Sequence, residues 1–255
     1  SGIKGIDYFI TNDLEPSSSN QNYTERLIRF SRLPFNYEIP VITEEKLRNK
    51  KTLFSEEKFN IGLTQSLFKL HPDYDEILES ILKEIKHAQV ILVKDKCDEI
   101  TSQLKDRWRK KNKLLIERSI FLDRMSIDDF INTTKNLDIM LDPFYYGSGN
   151  TFYESMAFGT PFITYKNQKS KIPMAGYKQM KVSNPPIANS KKDYINWCKN
   201  YSMDQKLLSN TRKEFMVKAN KYLFNDNEIY KEYYNFFYNA VKKARKGQVL
   251  NLNWK

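Results

Sequence analysis

The residues of this chain best suited to hold an anion stand in one unbroken run, Gly147, Ser148, Gly149, Asn150 and Thr151, with Glu154 one turn further on. Glycine is scarce, eight in 255 residues, so the pair at 147 and 149 invites an explanation. An apolar stretch, "LDIMLDPF" (137–144), precedes the run, and a helix is expected from about Thr151. At such a junction glycine can take positive φ and let a ligand approach the backbone. Asn150 is placed to cap the helix, and Ser148 or Thr151 to offer a hydroxyl to a phosphate oxygen. The free N–H groups of a first helical turn favour an anion, and a carboxylate at Glu154 can accept from ribose hydroxyls. Without a ligand, the same residues make an ordinary strand-to-helix turn with an acidic start. Gly159 reads as the left-handed cap that ends the helix.

A second run, "IGLTQSLFKLHPDYD" (61–75), repeats the arrangement. It puts Gln65, Phe68 and Lys69 directly after a strand and before a helix. Lys69 can meet phosphate charge, Phe68 can offer a ring face, and Gln65 can read a base or sugar edge. Taken alone, the pair Phe68 and Lys69 reads as a packed ring and a surface lysine. Two such turns at one edge of a sheet shift the reading towards a nucleotide.

The elements that must position these turns alternate along the chain. Strands are expected at "FNIGLT" (59–64), "QVILVK" (89–94), "ERSIFL" (117–122), "LDIMLDPF" and "TPFITY" (160–165). Between the first two, Tyr74, Ile77, Leu78, Ile81, Leu82 and Ile85 recur at the spacing of one helical face. A second helix is expected over 98–111, and a third opening at Ser126 with Asp129 as a box-like cap. The alternation predicts an α/β, Rossmann-like, doubly wound parallel sheet of five or six strands. Extended pieces at 6–11 and 36–43 lie in a linking segment, residues 1–55; the lobe itself covers 56–200, and residues 201–255 form C-terminal helices packing on it.

Composition narrows the function classes. A chain 40% hydrophobic and 14% aromatic has enough apolar content for a folded core. The net charge of +11 raises nucleic acid as a partner. Its lysines, however, are spread along the chain, with small clusters at 48–51, 107–113 and 242–246, and read as solvated surface. Cys97 and Cys198 have no metal-ligand spacing and suit a reducing cytoplasm. No apolar run approaches the ~18 residues of a membrane span. The opening "SGIKGIDYF" has no initiator Met and reads as internal to a longer protein.

Taken together, "TQSLFKLHPDYDEIL", "LDIMLDPFYYGSGNTFYESMAFGTPFIT" and "GIDYFITNDLEPSSSNQNYTERLIR" resemble the SPINDLY-type and O-linked N-acetylglucosamine transferase family of glycosyltransferases. The resemblance covers nearly the whole chain and agrees in order and spacing. It implies one lobe of a GT-B enzyme, the C-terminal lobe that binds a UDP-sugar, with the N-terminal lobe absent from this chain. It implies that Lys69 neutralises the diphosphate with Gln65 and Phe68 nearby, that Gly147 to Thr151 cradle phosphate, and that Glu154 takes the ribose. It implies no metal and no cofactor beyond the UDP-sugar donor, and a Ser or Thr hydroxyl (or an Asn) of a protein or peptide as acceptor. The chain departs from animal members, which carry His-Thr-Thr where Gly149, Asn150 and Thr151 stand, and a histidine where Phe130 stands. Lys169 and Lys171 occupy the place of an Arg-x-Arg pair and read as an exposed basic loop. His71 and His87 read as helix-terminal residues, so no general base is nominated. A sugar-nucleotide 2-epimerase of the same architecture, a non-catalytic lobe, and a nucleic-acid- or protein-binding module remain as alternatives.

Overall fold

A computed structural model describes residues 1–40, 53–167 and 171–252. Eight strands are found among them: β1 (Tyr8–Asn12), β2 (Arg26–Phe30), β3 (Phe59–Gly62), β4 (Ala88–Val93), β5 (Ser119–Leu122), β6 (Ile139–Leu141), β7 (Phe162–Tyr165) and β8 (Ile187–Ala188). The last six form one parallel sheet in the order β5-β4-β3-β6-β7-β8. Numbered within that sheet, this is the 3-2-1-4-5-6 order of a dinucleotide-binding fold, whose direction of winding reverses between β3 and β6. The expected α/β class and doubly wound parallel sheet are therefore what the chain adopts.

The period-two pattern of the strands explains why both faces are covered. Val90 and Leu92 lie in one core cluster while Ile91 lies in the other; Ile139 and Leu141 face the first, Met140 the second. Helices α1 (Pro72–Glu84), α2 (Asp98–Lys111) and α7 (Lys191–Met203) supply Tyr74, Leu78, Trp108 and Tyr194 to the first cluster. Helices α5 (Asn150–Met156), α6 (Ile172–Gln179) and α8 (Gln205–Tyr222) supply Phe152, Tyr177 and Phe215 to the second. Two further helices, α3 (Lys113–Glu117) and α4 (Ile127–Lys135), connect β4 to β5 and β5 to β6 together with α2.

Local signals account for the helix starts. Pro72 opens α1, and the His71 ring caps it by accepting from the Asp73 N–H at 3.2 Å. Ser126 accepts from the Asp129 N–H at 3.2 Å and donates its hydroxyl to the Asp129 carboxylate at 2.6 Å, as the box-like spacing predicts. One expectation fails at α5: Gly149 stands at the capping position and Asn150 is the first helical residue, exposed and capping nothing. The short loop enters the helix one residue earlier than the pattern suggested.

Strands β1 and β2 form a separate parallel pair. Their apolar face packs on helix α9 (Glu228–Ala244), joining Ile28 and Phe30 to Ile229, Phe236 and Ala240. The opposite side of α9 leaves Tyr234, Phe237, Tyr238 and Val241 exposed. Of the extended piece at 36–43, Tyr37 bridges to Phe224, and residues 41–43 lie outside the described residues, as does Lys169. No helix among the described residues is long and apolar enough to cross a membrane.

Candidate functional site

In an open parallel sheet the crevice for a ligand lies beyond the carboxyl ends of the strands, where the winding reverses. Here the loops that leave β3 and β6 meet at that place. Lys69, at the end of a short 3₁₀ turn (Leu67–Lys69), extends its ammonium to the Gly147 carbonyl at 3.1 Å. The same Nζ sits 4.6 Å from the centre of the Tyr146 ring. An ammonium has three donors, so donors remain for a further acceptor. Burial pushes the Lys69 pKa below the ordinary lysine value, and the negative charge of Asp142 partly offsets it.

Between the same two loops opens a cleft of about 550 Å³, whose lining does not include Lys69, Gly147, Ser148 or Gly149. Its floor is Thr64, Gln65 and Ser66 after β3; one wall is Lys94 and Asp95 after β4 with Arg124 and Met125 after β5; the other is Asn150, Thr151 and Glu154 of α5. Gln65 is buried and donates its amide to the Leu141 carbonyl at 3.0 Å, tying the two switch-point strands together. Because a carbonyl must receive the amide N–H, the oxygen of Gln65 is the end left over. Gln65 Oε1 and Thr64 Oγ1 are both buried and without a hydrogen-bond partner. A buried acceptor without a partner costs about 1–3 kcal/mol. Both residues line the cleft, and their unpartnered oxygens lie just beneath its surface.

Glu154 is 7% exposed and accepts a hydrogen bond from the Tyr37 hydroxyl at 3.4 Å. Tyr37 stacks on Tyr153, ring centres 4.5 Å apart and planes 11° from parallel. Burial raises the Glu154 pKa, the Tyr37 bond offsetting only part of the effect; burial and the nearby carboxylate push Tyr37 up to about 12. Burial therefore makes the charged form of Glu154 costly to keep in this place. Replacing it should separate stability from binding. Glu154→Gln is expected to raise the Tm by a few degrees at pH 7.5. The gain should shrink as pH falls through the folded carboxyl's raised pKa and vanish below the unfolded value, because the native state holds that proton more tightly. Thermal melts at pH 7.5 and pH 4 check it, and a gain equal at both sinks the reading.

The structure places the other expected residues differently. Ser148 is 1% exposed and outside the cleft lining, with its main-chain N–H donated to the Asp142 carboxylate at 2.7 Å. Gly149 has φ −117° and Gly147 is not among the positive-φ glycines; the left-handed residue of this loop is Tyr145, at φ 73°. The expected positive φ at the two glycines is thus corrected. A Cβ at Gly149 would meet nothing within 4 Å, so the backbone there borders open space. Gly159 does take φ +65°, as its role of helix terminator predicts. Phe68 is 69% exposed and lies outside the cleft lining, not packed as the ordinary reading of that ring supposed. Phe130 does line it. Lys171 stands at the start of α6 and donates to the Lys166 carbonyl at 2.9 Å. His71 caps α1, and His87 packs edge-on to Phe59; neither lines the cleft.

Sequence reasoning missed Lys94, Asp95, Arg124 and Met125. Their signal was positional, since each follows a strand at its carboxyl end, on the same sheet edge as Lys69 and Gly147. It also missed Tyr37, which reaches Glu154 from 117 residues away and carried no local signal.

No protein-family description matches the chain, and no curated protein matches it. Solved structures do. A point mutant of the O-GlcNAc transferase of Thermobaculum terrenum aligns at TM-score 0.71 and 20% identity, over 91% of this chain and 44% of that one. HepE of Anabaena, in complex with UDP, aligns at TM-score 0.65 and 14% identity, over 90% and 63%. TarM of S. aureus, a mutant in complex with Fondaparinux, alpha-GlcNAc-glycerol and UDP, aligns at 0.61 and 14%, over 90% and 43%. The chain thus spans less than half the length of the first of these and less than two thirds of the others. At such identities the likeness concerns the fold, and the fold is that of a GT-B glycosyltransferase lobe.

Proposed function

We propose that this chain is the donor-binding lobe of a glycosyltransferase that uses UDP-N-acetylglucosamine or a related UDP-hexose. The observation that carries the reading is the meeting of Lys69 with the Gly147 loop at the winding reversal of the sheet, beside a cleft floored by unpartnered polar atoms. Lys69 would neutralise the diphosphate, with the open backbone at Gly149 and the start of α5 admitting its oxygens. Glu154 would accept from the ribose, and Gln65 and Thr64 would meet the base or sugar. Phe68, exposed beside Lys69, would cover the outer side of the diphosphate. The structures bound to UDP among the similar folds support the donor class.

In the reaction, the bond from the sugar C1 to the UDP oxygen breaks while a bond from an acceptor oxygen to C1 forms. The departing UDP takes the electron pair, and the acceptor's proton passes to a base. This lobe contributes at the leaving group, where a preorganised ammonium meets growing charge in a partly water-excluded site. Because Lys69 supplies that charge, the transfer is expected to need no divalent metal. The acceptor would be a Ser or Thr hydroxyl of a protein, a reading supported by the O-GlcNAc transferases among the similar structures. Neither histidine lines the cleft; the resemblance puts the family's bases in the N-terminal lobe, so the chain alone is expected to bind donor without transferring sugar.

Calorimetric titration tests this. UDP should bind the chain with equal affinity in the presence and absence of EDTA, and a single-stranded oligonucleotide should bind weakly at physiological salt. Failure to bind UDP, or a strongly salt-dependent oligonucleotide affinity, would overturn the reading in favour of a nucleic-acid module.

A further inference from the structure

Asp142 belongs to none of the groups assigned above, yet its carboxylate lies at the centre of the loop's hydrogen bonding. It is fully buried at the end of β6. One oxygen accepts the Ser148 N–H at 2.7 Å and the other the Thr164 hydroxyl at 2.7 Å. Its main-chain carbonyl accepts from the Tyr194 hydroxyl at 3.0 Å, and Tyr194 in turn meets the Tyr74 hydroxyl at 2.8 Å, on the helix that follows Lys69. Both turns of the site are thereby tied to one residue.

The peptide group joining residues 147 and 148 has a particular position in this network. Its C=O receives the Lys69 ammonium, and its N–H is given to Asp142. In a trans peptide these groups point in opposite directions. The unit is therefore held with its negative end on a cation and its positive end on an anion, the favourable orientation at both ends.

We propose that Asp142 is a positioning residue for the donor site: by clamping the 147–148 peptide between its own carboxylate and Lys69, it fixes where the ammonium stands. The proposal deepens the donor-site reading and rests on it for its functional meaning. A buried negative charge near a diphosphate would by itself repel it, so its retention there calls for such a role. The direction of the Lys69 shift agrees, since the Asp142 charge is what opposes desolvation. The other titratable groups of these turns are engaged elsewhere. Asp73 takes the Tyr145 hydroxyl at 2.7 Å and lies 3.5 Å from the His71 ring, whose edge meets Tyr145. Asp75 is bound to Arg107 at 2.7 Å. The remaining neighbour, Tyr146, presents its ring face.

The test is Asp142→Asn, which keeps shape and removes charge. In the full 255-residue chain without ligand, NMR of the Lys69 side chain should show its titration moving to lower pH. UDP affinity should fall about tenfold while uridine affinity stays unchanged. An unmoved Lys69 titration overturns the proposal. So does tighter UDP binding, which is what a mere repulsive charge would give on removal. Equal losses for UDP and uridine also overturn it, since they mark a general structural role. Should Asp142→Asn not fold, Thr164→Val removes one of the carboxylate's partners and should give a smaller loss with the same preference for UDP. A wild-type chain that binds no UDP, yet whose Lys69 titration responds to Asp142→Asn, overturns the donor-site reading and supports the clamp.

Discussion

Replacing Lys69 with Met is expected to weaken UDP binding by about 30- to 150-fold, which corresponds to ~2–3 kcal/mol for charge-assisted hydrogen bonds in a half-buried place. Uridine should bind the variant as it binds the wild type, because the lost interaction is with phosphate. Fold stability should hardly change: the ammonium's bond to the Gly147 carbonyl is only partly buried, and Met retains the aliphatic stem over Tyr146. Wild-type affinity carries a second signature. Burial lowers the Lys69 pKa, so the ammonium loses its proton, and UDP affinity should decline, at a lower pH than for an ordinary lysine. Titrations of UDP and uridine between pH 7 and 10 measure both effects. A Met variant that binds UDP within threefold of wild type removes Lys69 from the site.

The second large effect concerns Gly159. Its φ of +65° disfavours any side chain, and a Cβ would overlap the main-chain carbonyl of Arg212 on α8. That helix cannot readily retreat. Arg212 donates to the carbonyls of Leu137 at 2.6 Å and Lys135 at 2.8 Å, and the neighbouring Phe215 is buried in the second core cluster. Gly159→Ala therefore combines a left-handed penalty of about 1–2 kcal/mol with overpacking of about 1–3 kcal/mol. For a chain of this size the Tm should drop by about 5–15 °C. Gly247→Ala is the matched control. It has the same φ, +65°, but a Cβ there meets nothing within 4 Å, so only the first penalty applies. Equal Tm losses for the two variants would show that packing against Arg212 contributes nothing.

These two residues illustrate what could be read in advance. Gly159 followed an amphipathic run and preceded "TPFITY", so its terminating role was visible locally. What made it costly to replace, the Arg212 carbonyl 53 residues away in sequence, was not. Lys69 was likewise visible as a cation between strand and helix, whereas its partner at Gly147 depended on β3 and β6 pairing as neighbours.

Alternating apolar runs and helical periodicity determined the strands β3 to β7 and the parallel class, because backbone periodicity of 2.0 or 3.6 residues is written directly in side-chain order, whereas β8 and helices α3, α6 and α7 were not read from it. The cap at Ser126 was equally local, and so was the helix-terminal place of His71, though its ring's capping bond was seen only in the structure. Only the tertiary structure decided that the winding reverses between β3 and β6, which puts two distant loops into one cleft. It also decided which groups of those loops are open. Ser148 turned inward to Asp142, Asn150 left the cap to Gly149, and Tyr37 came from outside the sheet to Glu154. Such choices depend on which buried donors and acceptors must be satisfied together, and those requirements exist only once the strands have paired.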